Sequence, residues 1–307
     1  MVSRSQSIRV SDNNHGGIVY IAFATDANYL AATLIAVKSL IMHASEICDY
    51  SIYILTEHEL KPGLRRRFIS AINSPSNISI TFISTGDRID KLKLSRNGPA
   101  KKVTQATYLR FLLADLLQEA QKVLYIDVDT VILDDVAKIF LTDIDGCYIG
   151  GVLDISQCSD TEARCQELGI PSLNQYVNAG VLLMNLDQLR KDNLSEKMLA
   201  LAAERCFPYN DQDIINIVCY GRIYQLPFRC NVIADYLENT DKIPSAMRMD
   251  YIRETSDPII LHYAGRAKPW YHPKNRYSVL WWKVASSFKS IHKLYFRWHM
   301  SRLLKKA

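Results

Sequence analysis

Two aspartates separated by one residue, Asp127 and Asp129, close the apolar run VLYI in the segment VLYIDVDTVI, residues 123–132. A buried strand that delivers two carboxylates at its end sets anionic oxygens where a hard divalent cation, Mg²⁺ or Mn²⁺, finds its preferred ligands. Such an ion would in turn hold a diphosphate. The plain alternative is a solvated pair of aspartates in a turn.

Three further clusters bear on this choice. Asn178-Ala179-Gly180 precedes the apolar run VLLMNL, and a small-residue turn feeding a strand lets backbone approach a ligand closely. Asp211-Gln212-Asp213 opens the helical segment IINIVCYG, where acidic and amide groups also cap a helix. His262 ends the strand IILHY and is followed by AGRAKPW, residues 264–270. A histidine at a strand end is often a satisfied core residue, but beside two carboxylates an imidazole suits Mn²⁺. Lys268 then stands where it meets phosphate charge.

These side chains need a frame. Gly17 to Thr25 reads as a buried strand, Asn28 to His43 as a helix, Tyr50 to Leu55 as a strand. Leu60 to Ile72 reads as a helix with Pro62 in its first turn, Ile78 to Ile83 as a strand, Thr104 to Glu119 as a helix and Val123 to Ile126 as a strand. This alternation implies an α/β fold with parallel strands covered by helices. Ligands of such sheets sit beyond the carboxyl ends of strands, where Asp26 and the Asp127/Asp129 pair both fall. The expected organisation is a flexible leader, 1–16, one main domain, 17–270, and a basic, aromatic tail, 271–307.

Composition narrows the class. The 307 residues are 48% hydrophobic and 22% charged, which excludes disordered, collagen-like and low-complexity chains. The net charge of +5 is too mild for a nucleic-acid binder, and no readout motif accompanies it. Residues 1–17 have no apolar core of a secretory signal, and Lys38 interrupts the longest apolar stretch, Tyr29 to Met42. That stretch also falls short of the roughly 20 residues of a membrane span. Seven cysteines without a CxxC, Cys158 and Cys165 having no second pair to complete a zinc site, read as reduced thiols of a cytosolic protein. The charge is uneven: residues 1–257 carry −6, and the last 50 residues carry eleven basic and no acidic side chains. In the tail Trp281, Val284, Phe288, Ile291, Tyr295 and Trp298 recur at three- and four-residue steps. The expectation is a helix lying in an anionic membrane interface, each Lys or Arg contributing about 1 kcal/mol. The alternative is a terminal helix that packs its aromatics on the body. The membrane reading implies a cytoplasmic protein attached peripherally to the inner face of the cytoplasmic membrane.

Five segments, FATDANY (23–29), VLYIDVDTV (123–131), NAGVLLMNL (178–186), DQDIIN (211–216) and HYAGRAKPW (262–270), resemble the motifs of glycosyltransferase family 8. These are retaining transferases that include the bacterial galactosyl- and glucosyltransferases of lipopolysaccharide and lipooligosaccharide synthesis. The motifs stand in family order along about four-fifths of the chain. The resemblance implies a GT-A type domain with a mixed, largely parallel sheet, and a UDP-hexose donor, galactose or glucose. It implies Mn²⁺ or Mg²⁺ on Asp127, Asp129 and His262, with Val128 between the acids lining the donor site. Lys268 and Gly265 would hold the phosphates, and Ala24, Asp26 and Asn28 the uridine. Arg110, in TYLRF, would meet donor phosphate or sugar hydroxyls. Asp154, Asn178, Ala179, Asp211 and Gln212 would line the sugar pocket. The acceptor would be a lipopolysaccharide core, a lipooligosaccharide or a related lipid-linked oligosaccharide. Arg266, inside the last motif, adds a cation that suits an acidic acceptor.

Retention of configuration leaves two routes. Double displacement needs a nucleophile; Gln212 matches the position facing the anomeric carbon, and an amide is a poor one. Asp154 and Asp211 are the carboxylate candidates. The favoured route is same-face attack through an oxocarbenium-like ion pair. The DxDx[TV] spelling of Asp127, Asp129 and Val131 also fits phosphatases of the haloacid-dehalogenase type, with Asp127 as nucleophile. That reading requires downstream lysine and acidic motifs for which the chain has no convincing match. A third reading is a catalytically silent sugar-nucleotide-binding or membrane-scaffold protein.

Overall fold

In the computed structural model, residues 17–95, 104–157, 161–265, 268–274 and 276–288 are described. The uncharged run IVYIAFAT forms β1 (Ile18–Thr25), followed by α1 (Leu30–His43), β2 (Asp49–Thr56), α2 (Pro62–Ile72) and β3 (Ile78–Ser84). A 3₁₀ segment, Gln105–Leu112, runs into the single turn α3 (Leu113–Leu116) and then β4 (Lys122–Ile126), β5 (Thr130–Ile132), α4 (Ala137–Phe140) and β6 (Ile149–Leu153). Next come α5 (Glu162–Leu168), β7 (Val177–Asn185), α6 (Leu186–Lys191), α7 (Leu194–Glu204), α8 (Asp211–Val218), β8 (Ile223–Gln225) and β9 (Val232–Ile233). The described chain closes with α9 (Ala234–Glu238), α10 (Ser245–Glu254), β10 (Ile260–His262) and α11 (Ser278–Ser286).

Seven strands form one sheet in the order β3-β2-β1-β4-β7-β6-β8. All neighbours are parallel except β7, which runs against both β4 and β6. The chain leaves β1 toward β2 and β3 and then returns to the other side of β1 as β4. The strand order reverses between β1 and β4, and that is where a ligand crevice forms in sheets of this kind. Register pairs Ile21 with Leu124 and Ala22 with Tyr125, so Asp26 and Asp127 emerge from adjacent strand ends.

Alternation builds one core on each face. Ile21, Phe23, Leu124 and Ile126 point to the layer of α1 and α11. Ala22, Val123 and Tyr125 point to the layer of the 3₁₀ segment and α6 to α8. A second sheet, β5-β10-β9, closes over one end: β10 lies antiparallel to β5 and parallel to β9.

Three sequence expectations are corrected. Thr104 to Glu119 is not one α-helix but a 3₁₀ segment and a short turn; side chains three apart share a face in both forms. Asn178, Ala179 and Gly180 are not a turn before a strand; they lie inside β7. The tail does not begin as a separate face. Trp281, Val284 and Phe288 are buried in the core shared with α1, and the Trp281 ring packs at a tilt against Trp270, centroids 5.6 Å apart. An apolar stripe has the same spacing whether protein or lipid covers it, and here the body covers its first half. Ile291, Tyr295 and Trp298, the leader 1–16, Cys158 and Arg266 lie outside the described residues. Among the described residues, no helix is long and apolar enough to cross a membrane.

Candidate active site

The strand β4 ends at Ile126 and the chain turns through Asp127, Val128 and Asp129 into β5. Two backbone contacts fix the turn: Asp127 N–H donates to the Gly180 carbonyl at 2.7 Å, and Thr130 Oγ1 donates to the Asp127 carbonyl at 2.8 Å. The register of β10 against β5 pairs His262 with Thr130, and Tyr263 N–H donates to the Asp129 carbonyl at 2.9 Å. His262 is thereby delivered to the two carboxylates from 133 residues down the chain. One ligand atom from each of Asp127, Asp129 and His262 lies within 4.8 Å of the others. His262 Nε2 stands 3.3 Å from Asp129 Oδ1 and 3.9 Å from Asp127 Oδ2. Two carboxylates and one imidazole, leaving positions for substrate oxygens, fit a divalent ion of the Mn²⁺ or Mg²⁺ type.

Each carboxylate is held from behind. Asp127 Oδ1 accepts from Arg110 Nη2 at 2.9 Å and from the Tyr125 hydroxyl at 2.7 Å. Lys268 Nζ donates to Asp129 Oδ2 and, at 2.5 Å, to the Tyr263 carbonyl. Burial opposes ionisation of Asp129, but Lys268 and then His262 outweigh it and hold the carboxyl well below the usual carboxylate range.

Arg110 is enclosed by protein groups. It is 3% exposed, and its guanidinium meets protein acceptors throughout: the Ala179 carbonyl at 2.5 Å, Asp211 Oδ2 at 3.1 Å, the Thr107 carbonyl at 2.9 Å and Asp127. It also lies over the Tyr125 ring at 4.2 Å. Burial alone would lower its pKa, but Asp127 and Asp211 raise it, so it stays charged. Arg110 thus braces Asp127, because a buried guanidinium must satisfy its donors locally. Asp211 accepts from Thr107 Oγ1 at 2.5 Å. Despite Arg110, burial first and the charge of Asp127 second push its carboxyl up to about 6.

Where the sequence leads one to expect the sugar, Gln212 is buried. Its Nε2 donates to Asp154 Oδ2 at 2.9 Å, and its Oε1 accepts from Ala179 N–H and Asn178 Nδ2, both at 3.1 Å. Asp154 Oδ1 caps the next turn, accepting from Ser156 N–H at 3.0 Å. Asp213, which the sequence reading gave no role, is fully buried and ties Tyr176, Tyr209 and Arg164 to the start of α8.

At the end of β1, where uridine was expected, Asp26 Oδ1 accepts from the Asn28 and Tyr29 backbone at 2.6 and 3.2 Å and from Asn28 Nδ2 at 3.0 Å. Asn28 therefore turns its amide to Asp26. Ala24 sits just before, nearly buried. Tyr29 lies in electrostatic reach of both ends: burial, and then Asp129, push its phenol pKa up, with Asp26 adding to the rise. Two glycines are required by close approach. A Cβ on Gly180 would overlap the His262 ring, and one on Gly265 would overlap the Asp235 carboxylate.

The expected metal trio, Lys268, Asn178, Ala179, Gln212, Asp154 and Asp211 thus form one connected site, with Arg110 beneath it. Sequence reasoning missed Tyr125, Thr107, Tyr176 and Asn231. Asn231 Oδ1 lies 2.9 Å from His262 Nδ1, and its Nδ2 donates to Asn178 Oδ1 at 2.9 Å. Nothing in the local pattern LPFRCN marks it.

The sequence matches glycosyl transferase family 8 over residues 20–273. It is 25% identical to General stress protein A of Bacillus subtilis, over 82% of this chain and 87% of that protein. It is 24% identical to a lipopolysaccharide 1,2-glucosyltransferase of Escherichia coli, over 92% of this chain and 81% of that protein. Among solved structures, the galactosyltransferase LgtC superposes with a TM-score of 0.73 at 23% identity, covering 89% of this chain and 97% of that one. The bifunctional glycosyltransferase WbbM superposes with a TM-score of 0.76 at 22% identity. There the match covers 96% of this chain and 54% of the other, so this chain spans about half of that protein. At these identities the structural likeness establishes the GT-A-like fold. The phosphohydrolase reading finds no support.

Proposed function

The chain belongs to glycosyl transferase family 8, and from that premise we propose that this glycosyltransferase uses a UDP-hexose, glucose or galactose, with Mn²⁺ or Mg²⁺, and retains the anomeric configuration. The observation that carries the reading is the convergence of Asp127, Asp129 and His262 within 4.8 Å at the strand-order reversal. When bound, the divalent ion supplies Lewis acidity to the departing diphosphate. Asp127, fixed by Arg110 and Tyr125, and Asp129, fixed by the β5–β10 pairing, are the anionic oxygens that hold it. Lys268 carries a compact charge beside Asp129 and turns to the phosphates. Gly265, lacking a Cβ, lets backbone come close to them.

Gln212 supports the same-face route. Its Oε1 already accepts two hydrogen bonds, and an amide oxygen so engaged is a still poorer nucleophile. Asp154 and Asp211 are each engaged as acceptors, so neither stands as a free nucleophile. The acceptor we propose is a lipopolysaccharide-type or lipid-linked oligosaccharide. It rests on the names of the relatives and on the basic run of the last 50 residues. That acceptor would place the protein at the inner face of the cytoplasmic membrane.

The test is incubation with UDP-glucose or UDP-galactose, with and without Mn²⁺, reading release of UDP. Metal-dependent slow hydrolysis of one sugar nucleotide supports the reading and names the donor. Turnover of p-nitrophenyl phosphate with no UDP release would overturn it.

A further inference from the structure

A line of hydrogen bonds runs from the imidazole of His262 through Asn231, Asn178 and Gln212 to Asp154, and two backbone N–H groups set the direction of every link. A backbone N–H only donates. Gly180 N–H meets Asn178 at 3.0 Å, so the atom it meets is the carbonyl Oδ1. Asn178 Nδ2 then faces Gln212 at 3.1 Å. The Gln212 atom there is Oε1, because Ala179 N–H donates to the same atom. Gln212 Nε2 is left facing the Asp154 carboxylate, an acceptor. In the other direction, Asn178 Oδ1 takes Asn231 Nδ2 at 2.9 Å, which turns Asn231 Oδ1 to His262 Nδ1 at 2.9 Å. An acceptor at Nδ1 requires the ring proton to be on Nδ1. Asn231 and His262 are each 2% exposed, so solvent offers little competition for these bonds.

We propose that Asn231 is a positioning residue: it holds a proton on Nδ1 of His262 and so keeps Nε2 on the side of Asp127 and Asp129, in a polarity imposed by Gly180 N–H through Asn178. The use of Nε2 as a metal ligand rests on the proposed function; the Nδ1 proton does not. A histidine that ligates through one nitrogen is oriented by the partner of the other. The same line fixes Gln212, so metal and sugar ends of the site share one hydrogen-bond polarity.

The experiment uses full-length protein labelled with ¹⁵N-histidine, free of metal, at pH 8, with the His262 signal identified by its loss in His262→Gln. Long-range ¹H–¹⁵N correlation should show His262 with a proton on Nδ1. Asn231→Leu should lose that proton, and Asn231→Asp, which keeps an acceptor on Nδ1, should restore it. A merely structural role would not separate Leu from Asp in this way. Mn²⁺ titrated in the presence of UDP and read by electron paramagnetic resonance should bind roughly 10- to 100-fold more weakly to Asn231→Leu. A wild-type His262 with no proton on Nδ1 overturns the proposal without any variant. So does an unchanged Nδ1 proton in Asn231→Leu. If wild-type protein shows the Nδ1 proton but takes up no Mn²⁺ with UDP, the metal reading fails and the assignment of Asn231 stands.

Discussion

The ammonium of Lys268 donates to Oδ2 of Asp129 across 139 residues of chain, on the same carboxylate whose other oxygen faces His262. On the proposed function, one anion would serve both Lys268 and a divalent ion. At such distances two cations on one carboxylate would compete, and a bound diphosphate would relieve the competition by giving Lys268 a partner of its own.

Lys268→Met should accordingly act in opposite directions on two ligands. Mn²⁺ alone should bind more tightly, by roughly 3- to 10-fold, since removing a competing charge is worth about 1 kcal/mol in a partly screened site. UDP should bind more weakly. Calorimetric titration of each ligand separately checks this; a parallel loss of both would mean that Lys268 only supports the fold.

Arg110→Ala should cost stability as well as activity. It leaves Asp127 and Asp211 facing each other in a buried site without their shared cation, a change of about 3–5 kcal/mol. Urea unfolding measures it. A variant as stable as wild type would show that the guanidinium is free for the donor after all.

Gln212→Ala should keep part of the rate. Loss of a hydrogen-bonding amide is worth about 1.5–3 kcal/mol, or roughly 10- to 100-fold in kcat, while Asp127→Ala and Asp129→Ala should abolish transfer. Mass spectrometry of the quenched wild-type reaction should reveal no glycosyl-protein adduct. A trapped adduct on Asp154 or Asp211 would replace the same-face route with double displacement.

Asp211 gives a pH dependence whose sign is fixed. Its folded carboxyl sits at about 6, above the ordinary value near 4, so between these limits the folded state holds a proton that the unfolded state has lost. Its contribution is full below about pH 4 and declines as pH rises through about 6. Asp211→Asn stays neutral throughout. In metal-free protein the stability of wild type relative to this variant should therefore fall, by up to about 3 kcal/mol, from pH 4 to pH 7. Paired urea titrations would show it; a gap independent of pH would contradict it.

The sequence discloses what strand ends carry and hides what folding joins. Asp127 and Asp129 were legible because a buried run ends on two acids, and the β10 end was legible because His262 closes another such run. Arg110 was legible as a residue but not as a role: beyond the Thr107 carbonyl, its acceptors lie just past β4, on β7 and on α8, and no spacing within TYLRF reports those three. Gly180 was read as a turn residue, but its missing Cβ makes room for the His262 ring on a neighbouring element. Asn231 was invisible, since its importance lies wholly in what it touches 31 and 53 residues away. Trp281 shows the converse limit. Its place in an amphipathic repeat is real, but the repeat does not say that Trp270 and α1 cover it.

The most direct test of the central claim is Mn²⁺ uptake in the presence of UDP, followed by electron paramagnetic resonance in wild type and in Asp127→Asn, Asp129→Asn and His262→Ala. Wild type should take up one Mn²⁺ per chain, more tightly with UDP than without, and each variant should lose most of that uptake while remaining folded. Undiminished uptake in all three variants would show that Asp127, Asp129 and His262 are not the site that holds the ion.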